Sequence, residues 1–261
     1  MLYLTYELGI DGLGGQYQRI IGILALSKKY GCKYVHTPIQ YMEHIPEPKQ
    51  EYLNKIEEYF QISQHYKNSK DLIYDKVISV QSPNIENAIL LYKSSTENIL
   101  LVLGNPSAIL DRDTSIYNYI IPELRQIKQK IDLPHYDLHN KNIAIHIRRG
   151  DVNQTRYPDR YTKIEYFKKI AEQLSHRHQT ANICIFTELT DENKNEFEIF
   201  NDMNVKIIAN EDVLTTLDYL ICADILVTCK SSFSYIAGLY NANTVLYTEF
   251  WHKPMEHWET I

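Results

Sequence analysis

The sequence lacks the closely spaced cysteines of metal sites and redox motifs. Its four cysteines, Cys32, Cys184, Cys222 and Cys229, are scattered over 261 residues. Three of them lie in apolar segments, where a free thiol packs as a small hydrophobic group. This distribution argues against a zinc ribbon or a disulfide framework and favours reduced cysteines in a cytosolic protein.

Long hydrophobic runs are also missing. No segment approaches the roughly 18 uninterrupted apolar residues that a membrane-spanning helix requires. The first residues show neither the basic region nor the long apolar region of a secretory signal. We therefore expect a cytoplasmic protein without a membrane span.

Positive charge is in short supply, with 27 lysines and arginines against 33 acidic residues and a formal net charge of −6. A general nucleic-acid binder needs a strongly basic surface to neutralise phosphates, so we expect no nucleic-acid partner. Only eight residues are arginines, yet four of them, Arg148, Arg149, Arg156 and Arg160, fall within thirteen positions. Any phosphate site is therefore expected to be local.

Glycine is scarce as well, at nine residues, and the glycine loops of common nucleotide-binding proteins are absent. The segment GLGGQYQ at 12–18 departs from G-x-G-x-x-G, and no G-K-[ST] follows it. Dinucleotide and ATP binding are therefore poorly supported. The segment lies between a predicted strand and a predicted helix, so Gly14 and Gly15 could still let the backbone approach a diphosphate closely.

What the chain does contain is a regular alternation of strand and helix signals. A break near Pro134 predicts a domain boundary between 135 and 136, although one continuous sheet is an alternative. In the second half, the alternation predicts a parallel, doubly wound sheet, with the segment from Pro254 docking back. The strands predicted there are Asn142–Ile147, Asn182–Thr187, Val205–Ile208, Asp224–Thr228 and Thr244–Thr248, and the helices are Lys163–His178, Glu192–Phe200, Val213–Cys222 and Phe233–Tyr240.

The most specific local pattern is HIRRGD at 146–151, at the carboxyl end of a predicted strand. Open α/β sheets bind ligands at that edge. Neighbouring strand residues point to opposite faces, so we predict that Arg148, which shares the parity of His146, binds a diphosphate while Arg149 packs or pairs structurally. The alternative is a surface turn with solvated charges.

A second pattern, KSSFS at 230–234, joins a predicted strand to the start of a helix. Ser231 or Ser232 can cap that helix, and helix N-termini favour anions. Asp218 falls at the inward face of another predicted helix, where the N–H donors of a guanine would satisfy its carboxylate. The simpler alternatives are that the serines only cap the helix and that Asp218 is solvated or paired with a lysine.

In three ordered places, the chain resembles the superfamily of α1,2-, α1,6- and protein O-fucosyltransferases. The segment at 12–18 is similar to the family's glycine-and-glutamine loop, HIRRGD to its H-x-R-R-x-D motif, and SSFS at 231–234 to its final serine motif. The resemblance implies a GT-B-like α/β fold with two Rossmann-like, doubly wound domains facing a cleft. Residues 1–135 would form the acceptor-side domain and residues 136–261 the GDP-sugar-binding domain.

The resemblance also implies the reaction, which is inverting transfer of L-fucose from GDP-fucose to a hydroxyl of a glycan or glycoconjugate, with no metal cofactor. Arg148 would contact the diphosphate, His146 and Asp218 the guanine region, and the serines the phosphates. The implied donor-binding residues are Gly14, Gly15, His146, Arg148, Arg149, Asp218, Ser231, Ser232 and Phe233. The catalytic set is Arg148 with Asp151 and Asp159, either of which could be the general base.

Two departures from the family pattern leave alternatives open. Glu188 stands alone where the family often has two acidic residues, and Lys230 precedes the serine pair. The donor could therefore be another GDP-sugar or an activated rhamnose, or the chain could bind nucleotides or glycans without catalysis. Asp111 and Asp113 form a D-x-D pattern, which would instead suit a metal-bound donor.

Overall fold

The computed structural model describes residues 1–44, 47, 49–127 and 133–261 and divides the chain into two compact units, Met1–Gln129 and Lys130–Ile261. Each unit is built around one sheet, and the strand pairs described in both sheets are parallel. The α/β class with parallel sheets that the sequence predicts is therefore confirmed. The division between the units falls a few residues before the predicted boundary at 135/136.

The first unit contains a four-stranded sheet in the order β2-β1-β4-β3. The apolar side chains of the two central strands, such as Leu4 and Leu101, are fully buried. Short 3-10 helices lie at Ser69–Asp71 and Thr114–Tyr119. The other elements are β1 (Leu2–Tyr6), α1 (Leu13–Tyr30), β2 (Lys33–Tyr34), α2 (Lys49–Phe60), α3 (Ile62–His65), β3 (Lys76–Val80), α4 (Ile85–Tyr92), β4 (Ile99–Leu103), α5 (Ser107–Arg112) and α6 (Ile121–Ile127).

Helix α1 has 18 residues and is buried over most of its length. It ends at Gly31, whose left-handed backbone (φ 65°) lets its N–H cap the carbonyl of Lys28. Within the described ranges, no helix combines the length and the apolar character needed to cross a membrane.

The second unit contains a six-stranded sheet in the order β10-β9-β8-β5-β6-β7. Read from β7 and numbered within the unit, this is the 3-2-1-4-5-6 order of dinucleotide-binding Rossmann folds. The short β10 pairs in parallel with β9, so the end of the chain docks back as the sequence predicts. The elements are β5 (Asn142–Ile147), α7 (Ile164–Arg177), β6 (Asn182–Thr187), β7 (Lys206–Ala209), α8 (Val213–Cys222), β8 (Ile225–Val227), α9 (Ser232–Tyr240), β9 (Thr244–Tyr247) and β10 (Glu259–Thr260).

One element differs in kind from the prediction. The segment predicted as a helix at Glu192–Phe200 forms a 3-10 helix at Lys194–Phe200. Its buried anchors, Phe197 and Phe200, are three residues apart, with ring centroids at 6.2 Å. A 3-10 helix has three residues per turn, so it places both rings on the same side, against the sheet.

Helices cover the second sheet on both faces, which makes it doubly wound. All six residues of β5 are buried, as expected for a strand covered on both sides. Ile145 and its same-face neighbours pack with α7 and the 3-10 helix. On the opposite face, the His146 ring lies 5.4 Å from the ring of Phe233 in α9, measured between centroids.

Candidate active site

The order of the strands identifies a crevice at the carboxyl end of β5. Strand β6 pairs with one side of β5, and β8, which comes later in the chain, pairs with the other side. In open α/β sheets, ligands bind beyond the carboxyl ends of the strands at such a reversal point. The segments that follow β5 and β8 are 148–151 and 228–231, so both sequence motifs lie at this reversal point, called the β5–β8 crevice below.

Arg148 follows β5 and is held by Asp151 in the same turn. Arg148 Nε donates to Asp151 Oδ1 at 3.2 Å, and Nη2 donates to Oδ2 at 2.6 Å. Gly150 allows the tight turn because it adopts a left-handed conformation with φ of 77°. About a quarter of each side chain stays exposed, 23% for Arg148 and 24% for Asp151. Asp151 therefore orients the guanidinium while leaving Nη1 outside this pair.

His146 lies two residues earlier on the same face of β5 and is buried. Its Nδ1 is 3.1 Å from Cys229 Sγ. Burial, followed by the positive charge of Arg148, lowers the pKa of His146 to about 3, so the imidazole is neutral at neutral pH. Burial also raises the pKa of the Cys229 thiol to about 11. The contact therefore joins two neutral groups, and His146 is poorly suited to act as a general base.

The serine motif forms the N-terminus of α9. Ser231 is the N-cap, and its Oγ accepts a hydrogen bond from the Phe233 N–H at 3.2 Å. Ser234 is fully buried, and its Oγ accepts from the Cys229 N–H at 3.2 Å, which ties the end of β8 to α9. The first N–H groups of a helix have no acceptor within the helix and carry partial positive charge.

Two partly exposed residues flank this helix end. Ser232 is the first residue of α9, and Lys230 directly precedes the N-cap. Lys230 forms no ion pair with any residue that the structure describes. The crevice therefore combines Arg148, Lys230 and the positive end of a nine-residue helix, an arrangement that suits a phosphate or diphosphate.

Arg149 occupies the opposite face of the sheet and does not reach the crevice. Its side chain is 1% exposed, and Nη2 lies 2.9 Å from Glu196 Oε2. Nη1 donates to the carbonyl of Arg148 and Nη2 to that of Thr162, both at 3.0 Å. The guanidinium carbon also lies 4.4 Å from the ring centroid of Tyr161. These contacts give Arg149 a structural role, whereas the resemblance places it among the donor-binding residues.

A cavity of about 430 Å³ lies on this same face, away from Arg148. It includes none of the residues of the β5–β8 crevice. Its lining consists of Gln154, Tyr161, Lys163, Ile164, Glu165, Asn195, Glu196 and Ile199.

The two remaining acidic candidates belong to different elements. Asp159 is exposed in the loop that follows Asp151 and makes no ion pair within the described part of the chain. Asp218 is buried in α8, which packs against α9. The structure thus brings His146, Arg148, Asp151 and the serine motif together, with Asp218 on a helix next to α9.

The predicted glycine loop belongs to the first unit and is already helical. Gly12 is the N-cap of α1, with extended backbone angles, and the helix begins at Leu13. Gly14 and Gly15 therefore lie in its first turn rather than in a loop. A Cβ atom at Gly15 would lie 3.0 Å from Asp11 Cβ, so the absence of a side chain there permits close packing.

The D-x-D pattern also has a structural explanation. Asp113 accepts a hydrogen bond from the Ser115 N–H at 3.2 Å, which caps the 3-10 helix at Thr114–Tyr119. Its carboxylate lies 3.7 Å from Lys29 Nζ. No group of three or more His, Cys, Asp or Glu side chains in the described ranges is arranged to hold a metal ion.

Comparisons with known proteins find similarity in solved structures alone, since no protein-family model and no curated protein matches the sequence. E. coli heptosyltransferase WaaC with ADP-2-deoxy-2-fluoro heptose is 11% identical over 99% of this chain and 92% of WaaC, with a TM-score of 0.48. POFUT1 in complex with GDP-fucose is 13% identical over 93% of this chain and 94% of POFUT1, with a TM-score of 0.47. Similarity at this level defines no function for the chain, so the functional conclusion depends on the residues of the crevice.

Proposed function

We propose that this protein is a metal-independent glycosyltransferase that binds the diphosphate of a nucleotide-sugar donor in the β5–β8 crevice. The observation that supports this proposal is the meeting of Arg148 and the N-terminus of α9 at the reversal point of the sheet. An arginine binds phosphate oxygens through two parallel N–H donors, and a helix N-terminus adds backbone N–H groups. Together with Lys230, these groups offset the charge of a diphosphate without a divalent ion.

In the proposed reaction, an acceptor hydroxyl attacks the anomeric carbon of the donor sugar as the bond to the diphosphate breaks. The configuration at that carbon inverts, and the electron pair of the broken bond remains on the departing phosphate. Arg148, Lys230 and the N–H groups of α9 stabilise this growing negative charge. Removing one such donor from a preorganised site typically lowers the rate about 100- to 1000-fold.

Asp151 and Asp159 are the two candidates for the general base. Both oxygens of Asp151 already accept hydrogen bonds from Arg148, so its main role is to position the guanidinium. Asp159 is exposed and has no ion-pair partner among the described residues, so its oxygens are available to take the proton of the acceptor hydroxyl. We assign the base to Asp159 and the positioning role to Asp151.

We further propose that the nucleotide is GDP and the sugar L-fucose. The support is the resemblance of HIRRGD at 146–151 to the H-x-R-R-x-D motif of fucosyltransferases. The neutral, buried His146 is a hydrogen-bonding group for an uncharged purine rather than for a phosphate. Asp218 on α8 supplies the carboxylate that the N1–H and N2–H groups of guanine require.

The test is isothermal titration with GDP, GDP-fucose and UDP in the presence of EDTA. We compare the wild type with Arg148→Ala and use Arg156→Ala as the matched control, since Arg156 is an exposed arginine of the following loop. GDP should bind the wild type and the control, and Arg148→Ala should weaken binding about 10- to 100-fold, the range for losing a charge-assisted hydrogen bond. Absence of GDP binding to the wild type would refute the donor assignment. UDP binding as tight as GDP binding would refute the guanine assignment.

A further inference from the structure

Tyr157, Arg160 and Trp251 form a cluster on the surface of the second unit, called the aromatic–arginine cluster below. The guanidinium carbon of Arg160 lies 5.0 Å from the ring centroid of Tyr157 and 5.6 Å from that of Trp251. These distances are typical of cation–π contacts. The arginine therefore contacts two aromatic rings that come from distant parts of the sequence.

The cluster lies at the same edge of the sheet as the β5–β8 crevice. Tyr157 and Arg160 belong to the loop that follows β5, and Trp251 belongs to the segment that follows β9. In the sheet, β8 lies between β5 and β9. The contact between Arg160 and Trp251 therefore joins the two loops that flank the carboxyl end of β8, where Lys230 and Ser231 lie.

Both aromatic rings of the cluster are exposed. Tyr157 is 45% exposed and Trp251 46% exposed, whereas Trp258, only a few residues further along the chain, is 6% exposed. Burial of a large aromatic side chain stabilises a fold, so folding alone does not favour leaving an indole at the surface. Exposed aromatic rings offer flat apolar surfaces on which the C–H face of a sugar ring can pack.

Arg160 has donors that the described protein leaves unused. Its side chain makes no hydrogen bond or ion pair with any described residue, whereas Arg148 and Arg149 are both paired with carboxylates. The contacts with the two rings restrict its side chain before any ligand arrives, which reduces the entropy lost on binding. A guanidinium held in this way is suited to two-pronged binding of a carboxylate or a phosphate.

We propose that the aromatic–arginine cluster is a subsite for a negatively charged sugar of the acceptor. The sugar ring packs on the aromatic surfaces, and Arg160 binds the carboxylate or phosphate that the sugar carries. The donor does not need this cation, since Arg148, Lys230 and the N-terminus of α9 already face its diphosphate. The assignment to the acceptor rests on the proposed glycosyltransferase function, whereas the binding of an anionic sugar does not.

The test is saturation-transfer NMR with three monosaccharide probes: glucuronic acid, glucose 6-phosphate and neutral glucose. GDP is added at saturation to occupy the donor site. If GDP does not bind, the same probes are measured on Arg148→Ala, in which the donor site is disabled. Arg160→Gln and Trp251→Ala are compared with Arg156→Gln, a matched loss of charge in the same loop. We expect at least one anionic probe to bind about ten-fold more tightly than glucose, and the stronger of the two identifies the anion.

This preference should disappear in Arg160→Gln and persist in Arg156→Gln, while Trp251→Ala should weaken the binding of charged and neutral probes alike. Equal binding of all three probes, absence of binding, or an unchanged preference in Arg160→Gln would overturn the subsite. GDP affinity should be the same in Arg160→Gln and the wild type, and a ten-fold loss would assign Arg160 to the donor instead. Failure of the wild type to bind GDP would refute the proposed function but leave the anionic-sugar subsite to be judged by the sugar probes.

Discussion

Arg149 and Glu196 form an ion pair at 2.9 Å that ties the loop between β5 and α7 to the 3-10 helix at Lys194–Phe200. The same guanidinium donates to the carbonyls of Arg148 and Thr162, near the two ends of that loop. The loop carries Asp151, Asp159 and Arg160. The contacts of Arg149 on one face of the sheet therefore fix the path of this loop. The proposed functional residues of the loop lie on the other face and at the edge of the sheet.

Removing the charge of Glu196 should destabilise the protein. In Glu196→Gln, the Arg149 guanidinium stays buried without its carboxylate partner, a loss worth about 1–3 kcal/mol of unfolding free energy. Glu198→Gln is the matched control, because Glu198 lies on the same 3-10 helix but is exposed. Urea denaturation measures both variants, and equal unfolding free energies would contradict the structural role of the pair.

The neutral state of His146 predicts a specific dependence of stability on pH. Its pKa is lowered to about 3 in the folded protein from 6.5, so the unfolded chain binds the extra proton between these values. The contribution of His146 to stability is therefore complete above pH 6.5 and decreases as the pH falls towards 3. Between pH 8 and pH 5, this amounts to about 2 kcal/mol of unfolding free energy.

The variant His146→Asn should lose this dependence. Denaturant unfolding at both pH values should show that the wild type loses about 2 kcal/mol more than the variant on acidification. Groups that titrate in both proteins cancel in this comparison. In the wild type, the ring C–H resonances of His146 should not move between pH 8 and pH 5, and a midpoint in that range would refute the neutral, buried assignment.

The cap of α9 gives a third prediction. Ser231 accepts the Phe233 N–H, so Ser231→Ala should lower the unfolding free energy by about 1 kcal/mol, the usual cost of losing an N-cap. Ser231→Gly should cost only a few tenths of that value, because glycine tolerates the N-cap backbone. Ser232→Ala removes a neighbouring hydroxyl that does not form the N-cap, and thermal or urea unfolding of the three variants should rank them accordingly. A loss in Ser232→Ala as large as in Ser231→Ala would contradict the capping geometry.

The parts of the structure that the sequence predicts are those encoded by local pattern. The sequence predicts a strand at Asn142–Ile147, and the structure forms β5 over these same residues, all six of them buried. Strand parity alone predicts that Arg148 and Arg149 diverge, and they do, since Arg148 pairs with Asp151 and Arg149 with Glu196. The second prediction depends on the two-residue period of a strand, which places adjacent side chains on opposite faces.

The features that the sequence does not predict depend on pairing between distant loops. Glu196 is an ordinary charged residue in the sequence, and only the packing of Phe197 and Phe200 turns its helix so that it meets Arg149. Trp251 and Arg160 meet because β9 and β5 flank β8, an order that appears only once the sheet is assembled. Arg160 belongs to the arginine cluster that the sequence singles out, and Tyr157, three residues earlier, is the aromatic residue in the sequence that points to it.

The division of roles between Asp151 and Asp159 is open to direct measurement. Turnover is measured as the release of GDP from GDP-fucose, either with an acceptor or with water as the attacking group. Donor binding is measured separately by titration with GDP. Because Asp159 is proposed as the general base, Asp159→Asn should lower turnover about 100- to 10,000-fold and leave GDP affinity unchanged.

Asp151→Asn should behave differently, because its carboxylate orients Arg148 through two hydrogen bonds. Its loss removes a negative charge that competes with the diphosphate for Arg148, so GDP should bind as tightly as in the wild type or more tightly. Turnover should fall because the guanidinium is no longer held in the geometry that stabilises the departing phosphate. If instead Asp151→Asn lowers turnover about 100- to 10,000-fold and Asp159→Asn leaves turnover unchanged, the base is Asp151, and Arg148 must leave that carboxylate when the donor binds.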